Sequence, residues 1–139
     1  MKSLFGKKSP TIGDNLGRGR TLLVVDDSPT ERHVFKGILE RAGYKVAFAE
    51  NGQEGVAEAK RLQPDLILMD VVMPVLNGFQ ATRQLHQDAA TAKIPVIMVT
   101  TKDQETDKSW GIRQGAEAYL VKPVVAAELL EKIGAILGD

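Results

Sequence analysis

The chain has 139 residues, of which 43% are hydrophobic and 26% charged, the composition of one ordinary soluble domain. The absence of cysteine excludes a disulfide scaffold, a thiolate metal site and a cysteine nucleophile, and with only His33 and His86 as imidazoles a histidine-based zinc site is not expected. Its 18 basic and 18 acidic residues cancel, but unevenly along the chain.

Residues 1–20 carry Lys2, Lys7, Lys8, Arg18 and Arg20 against Asp14 alone, a net +4, and the remaining chain is therefore −4. Four glycines and Pro10 interrupt this stretch, and it has no helical or alternating period, so it reads as a flexible basic extension on a domain spanning 21–139. It has no apolar core of the kind that marks a secretory signal. No run in the chain approaches the roughly 18–20 apolar residues of a membrane span, so the expected compartment is the cytoplasm.

From Thr21 onward, strand and helix signals alternate five times. Thr21–Asp26 (TLLVVD) is a continuous apolar run, as expected of a strand buried on both faces. Ser28-Pro29-Thr30-Glu31 is a helix start with a Ser cap, Pro at the first helical position and Glu placed for a capping box. Val34, Phe35, Ile38, Leu39 and Ala42 continue it as one apolar stripe up to Gly43.

Lys45–Ala49 is a short strand, and Asn51-Gly52 opens a second helix with Val56, Ala59 and Leu62 inward, stopped by Pro64. Leu66–Asp70 (LILMD) is a third strand, followed by a loop from Met73-Pro74 to Asn77-Gly78. Phe79–Gln87 is a third helix, with Phe79, Thr82, Arg83 and Leu85 at helical spacing. Pro95–Thr100 is a fourth strand. Asp103 caps a fourth helix that runs to about Gly115. Ala118–Val121 is a fifth strand, and Ala127–Leu137 a fifth helix presenting Leu129, Leu130, Ile133 and Leu137 to the core.

This alternation implies right-handed βαβ units and an open parallel sheet with helices on both faces. In such a sheet all C-terminal strand ends lie on one edge, where ligands bind. The strands here end in Asp26-Asp27, Asp70, Thr100-Thr101 and Lys122. Three carboxylates, a hydroxyl and an ammonium are thus expected in one crevice.

Clustered carboxylates disfavour each other's ionisation unless a cation relieves them. Oxygen-only ligands select a hard divalent ion, most naturally Mg²⁺, which keeps open positions for phosphoryl oxygens. Lys122 and Thr100 can bind the remaining phosphoryl oxygens. Asp70 stands alone opposite the adjacent Asp26-Asp27 pair and is the better nucleophile; aspartyl phosphate is an established covalent intermediate.

VVDDSP at 24–29, LILMDVVMP at 66–74, VTT at 99–101 and LVKP at 120–123 resemble the signatures of the receiver domain of two-component response regulators, the CheY-like family, across essentially the whole of 21–137. The segment at 100–124 and FQATRQL at 79–85 are further similar to the stand-alone regulators of type IV pilus twitching-motility chemosensory systems.

The resemblance implies a flavodoxin-like, doubly wound five-stranded sheet of order 2-1-3-4-5 with five helices. It implies Asp70 as phosphoacceptor, and Mg²⁺ held by Asp26, Asp27 and Asp70 with the Val72 backbone carbonyl. Thr100 and Tyr119 would be the switch residues, Lys122 the phosphate partner, and Val72 and Lys102 the positions that tune dephosphorylation. A CheA-like histidine kinase would be the donor. With no DNA-binding or transmembrane segment, the expected protein is a monomer acting on a downstream protein partner or as a phosphate sink.

Taken singly, each residue has a blander reading. Asp26-Asp27 resembles a turn and cap pair, Lys122 a solvated strand end, Thr100 a β-branched strand residue and Tyr119 an edge aromatic. Trp110 is either a core residue or, with Tyr119, part of a docking face. Two other functions fit less well. A phosphate-independent interaction module would not need the full acidic set. An aspartate-nucleophile phosphohydrolase usually spaces its two Asp residues by one.

Overall fold

The computed structural model describes residues 19–139, and all but Gly19 and Arg20 of the basic extension lies outside them. Five parallel strands, β1 (Thr21–Val25), β2 (Lys45–Ala49), β3 (Leu66–Met69), β4 (Val96–Thr100) and β5 (Ala118–Val121), form one sheet in the order β2-β1-β3-β4-β5. Helices α1 (Pro29–Arg41), α2 (Gly52–Leu62), α3 (Gly78–Gln87), α4 (Glu105–Gln114) and α5 (Ala126–Leu137) alternate with them. This is the flavodoxin-like doubly wound fold, order 2-1-3-4-5, that the family resemblance implies.

The central strands are apolar throughout because helices cover both faces of the sheet. On one face Leu22, Val24, Leu66 and Leu68 pack with Phe35 and Leu39 of α1 and with Leu129 and Ile133 of α5. On the other, Leu23, Val25, Ile67 and Met69 pack with Val56 and Ala59 of α2 and with Ala81 and Leu85 of α3. β1 pairs in parallel with β2, Leu23 opposite Ala47, and with β3, Leu23 opposite Ile67.

Four local expectations need correction. Val34 lies off the apolar stripe and is 45% exposed, while Phe35, Ile38, Leu39 and Ala42 pack against the sheet as expected. The Ser28 cap forms, but the capping box does not close. Glu31 N donates to Ser28 Oγ at 3.2 Å, while the Glu31 carboxylate turns to Lys122 instead. The inward face of α3 is Gly78, Ala81, Thr82 and Leu85, and Arg83 is exposed. The residue capping α4 is Gln104, not Asp103, because Asp107 then falls three residues later and its Oδ2 accepts from Gln104 N at 3.2 Å.

The loop from β3 to α3 is tightly held. Gly78 N donates to Val71 O at 2.9 Å and Gly52 N to Leu76 O at 3.1 Å. A Cβ on Gly78 would collide with the Asp70 carbonyl, so this residue must be glycine for α3 to begin so close to β3. Leu76 N donates to Pro74 O at 2.8 Å around Val75, which has φ 72 and is thus a β-branched residue in the left-handed region.

Candidate functional site

β1, β3, β4 and β5 all end at one edge, so the residues that follow their last apolar positions meet there. Asp26, Asp27 and Asp70 each place a carboxylate oxygen within 4.8 Å of the others. Asp26 and Asp70 are buried, Asp27 is exposed and Thr100 is fully buried. Lys122 bridges the acids, with Nζ 2.8 Å from Asp26 Oδ2, 3.4 Å from Asp70 Oδ2 and 3.5 Å from Glu31 Oε1. It follows β5 directly and precedes Pro123 through a cis peptide bond.

The two buried carboxylates are oriented by different partners. Asp26 Oδ1 accepts from Ser28 N at 2.9 Å, so its other oxygen faces Lys122. Asp70 Oδ1 accepts from Val71 N at 2.7 Å and from Val72 N at 3.4 Å, which leaves Oδ2 toward the cleft. Burial pushes the Asp70 carboxyl above its ordinary range. Lys122 opposes that shift, and the Asp26 charge adds to it. Burial also works against the charge of Lys122, but the hydrogen bond to Asp26 and the surrounding carboxylates prevail and hold its ammonium above the usual value.

The donor set fits a hard divalent cation. All its members are oxygens, they lie close together, and the one ammonium beside them has three carboxylates in reach. Asp27, the exposed member, leaves the cleft open to solvent on its side.

Thr100 and Tyr119 are linked through a single residue between them. Lys102 N donates to Thr100 Oγ1 at 3.4 Å, and Tyr119 Oη donates to Lys102 O at 2.8 Å. Tyr119 packs beside Met98 beneath Gly111, and burial followed by the charges of Asp107, Asp70 and Asp103 pushes its hydroxyl up to about 12. The Lys102 side chain turns to Asp107, 3.9 Å away. Val72 is 57% exposed at the mouth of the cleft. Trp110, 46% exposed, lines a cleft with α3 residues.

Sequence reasoning did not place Glu31 or Arg32 at the site. Arg32 Nη1 donates to the Asp26 carbonyl at 2.7 Å, which ties the first turn of α1 to the acidic pair. The available signal was positional, since a helix that starts directly after a site-bearing strand turns its first residues over that strand's end.

A five-stranded parallel sheet with an acidic triad and a lysine at its C-terminal edge defines a class, and comparison with known proteins places the chain in it. Residues 22–134 match the response regulator receiver domain, and the chain belongs to that family. It is 61% identical over 116 residues to the protein PilH of Pseudomonas aeruginosa, a match covering 84% of this chain and 96% of PilH. Its fold is similar to that of the Vibrio cholerae chemotaxis protein CheY4, with a TM-score of 0.80 and 34% identity over 86% of this chain and 99% of that one. It is also similar to the receiver domain of the Pseudomonas aeruginosa sensor histidine kinase PA1611, which was solved with a magnesium ion coordinated in its active-site cleft. There the TM-score is 0.81, with 32% identity over 87% of this chain and 99% of that one.

Proposed function

We propose that Asp70 accepts a phosphoryl group from a phosphohistidine of a CheA-like histidine kinase, and that the chain relays this signal in type IV pilus twitching motility. The observation that carries the reading is the Asp70 carboxylate itself: Oδ1 is pinned by the Val71 amide while Oδ2 faces Lys122 within an acidic triad. Similarity to PilH and the resemblance of segment 100–124 to twitching-motility regulators support the pathway.

In the transfer, an Asp70 carboxylate oxygen attacks phosphorus, the P–N bond breaks, and the imidazole leaves with a proton from solvent. Asp26, Asp27, Asp70 and the Val72 carbonyl would hold Mg²⁺, whose charge offsets that of the carboxylates and the incoming phosphoryl oxygens. Lys122 Nζ, already 3.4 Å from Asp70, binds one phosphoryl oxygen, and the buried Thr100 hydroxyl donates to another.

Thr100 would then release the Lys102 amide. Because the carbonyl of the same residue holds Tyr119, the rearrangement reaches the helix α4 and strand β5 face. Shifting such a switch from 1:99 to 99:1 takes about 5.5 kcal/mol, within reach of two charge-assisted contacts made in only one state.

The test is labelling by acetyl phosphate followed by intact mass. The wild type should gain one phosphoryl group only with Mg²⁺ present, and Asp70→Asn none; undiminished labelling of Asp70→Asn would end the proposal. Phosphotransfer from a CheA-like kinase tests the donor. Thr100→Ala should still be labelled but lose the response of its partner. Val72 presents an apolar, exposed side chain at the cleft mouth and cannot orient an attacking water. Val72→Asn should therefore shorten the phosphoryl lifetime, read as the decay of labelled protein after removal of donor.

A further inference from the structure

Helix α4 is weakly buried. It buries only Gly111 and Gln114, and leaves Trp110 46% and Ile112 50% exposed. Between α4 and α3 lies a cleft of about 520 Å³ lined by Arg83, His86, Gln87, Trp110, Arg113 and Gln114, with no acidic residue among them. The Arg113 guanidinium sits 5.9 Å from the Trp110 ring centroid. Gly115, at φ 118, closes one end; a Cβ there would lie 2.6 Å from the His86 ring, so the two helices meet tightly at that point.

The charge is uncompensated. Among the described residues, Arg83 and Arg113 have no carboxylate within ion-pair distance, as is also true of Arg32, Lys36, Arg41, Lys45, Lys93 and Lys132, but these two line one cleft together with Trp110. Two guanidinium groups that share a cleft with an exposed tryptophan thus stand on a domain whose residues 21–139 sum to −4. Two further depressions, of about 320 and 500 Å³, adjoin the cleft around α4 and share Arg113 with it; the smaller also carries Glu105, whose carboxylate pairs with Lys108 at 3.7 Å. The surface is a trough, shaped for an extended occupant more than for a small molecule.

We propose that the α3–α4 trough docks an acidic peptide segment of a partner protein. Its carboxylates would bind Arg83 and Arg113, and an apolar side chain would rest on Trp110. Arg offers a forked, bidentate match to carboxylates, and Trp and Arg are the residues that anchor interfaces. The chain's own residues 1–20 carry +4, so like charge excludes them as the occupant. This surface lies between α3 and α4, and none of its lining residues belongs to the acidic cleft around Asp70.

The test selects peptides by display against the full unphosphorylated chain. Each selected peptide is then titrated as a synthetic probe, read by the emission of Trp110, the single tryptophan. Selected peptides should be net acidic with an aromatic or aliphatic residue. Their binding should weaken with salt, and fall by about tenfold or more in the Arg83→Glu, Arg113→Glu double variant. That variant should in turn select basic peptides. Both arginines are exposed, and thermal melting verifies folding; Arg83→Gln with Arg113→Gln replaces the pair if it does not fold. Failure to select any binder, peptides without net negative charge, or acidic binders indifferent to both double variants would overturn the proposal. So would self-association abolished by Arg83→Glu, since a second copy would then cover the trough.

Discussion

Lys122 sits between two buried carboxylates that would otherwise face each other across the cleft. Removing its charge leaves them uncompensated, and breaking a buried pair from one side costs about 3 kcal/mol or more. Lys122→Met is therefore expected to lose about that much stability in urea denaturation at neutral pH, and to recover part of it when Mg²⁺ is added. Asp70 titrates in the opposite sense. Burial raises its pKa on folding, so its contribution to stability is full below the ordinary value of 3.8 and is lost as pH rises through the raised folded value. At neutral pH the ionised Asp70 thus works against the fold. Asp70→Asn should melt a few degrees higher than the wild type in chelator, with the advantage shrinking as pH falls toward 3.8; an unchanged difference across that range would contradict the assignment.

At the scale of elements, α4 buries no large apolar side chain. Its close approach to the sheet depends on Gly111, where a Cβ would lie 2.7 Å from Met98 Sδ and 3.0 Å from the Tyr119 ring. Helix propensity favours alanine there by about 1 kcal/mol, but crowding a filled site costs about 1–3 kcal/mol. Met98 is fully buried and Tyr119 only half so, so Tyr119 is the side chain that gives way. Tyr44 and Tyr119 are the only tyrosines, and both are pushed up to about 12, each by burial first. In Gly111→Ala one of the two should ionise closer to 10.0, seen by ultraviolet difference absorbance after a pH jump, while the other stays unchanged.

The same helix shows what the sequence can carry. β1 and β3 are legible because burial on both faces writes a continuous apolar run, and β2 and β5 were found to the residue. α4 has almost no apolar face to read, and its sequence therefore leaves Asp103 and Gln104 as equally plausible caps, of which the fold uses Gln104. The left-handed backbone at Val75 is invisible for a related reason: a β-branched residue gives no sign of positive φ, and the loop's hydrogen bonds alone impose it. Asp26, Asp27, Asp70, Thr100 and Lys122 could be grouped in advance because each closes an apolar strand. Glu31 and Arg32 lie on a helix surface, where only the folded geometry shows which way they turn.

For the whole molecule, a cation bound at this edge would couple to global unfolding, because its ligands come from β1 and β3 at the centre of the sheet. At a hundredfold excess over its Kd, Mg²⁺ should add about 2.7 kcal/mol to stability, measured as a rise in Tm with concentration. Asp27→Ala should cancel that rise yet barely change the metal-free Tm, since Asp27 is exposed.

At the far edge of the sheet, Arg20 Nε pairs with Asp139 Oδ1 at 2.9 Å, and Tyr44 Oη donates to Asp139 Oδ2 at 3.3 Å. The start of β1, the start of β2 and the end of α5 are thereby knotted together, about 16 Å along β1 from the acidic cleft. A fluorophore, a surface anchor or a fusion partner attached ahead of Arg20 would leave this pole while the opposite one, with Asp70, stays open. The molecule is thus suited to immobilisation by one end while its chemistry is watched at the other.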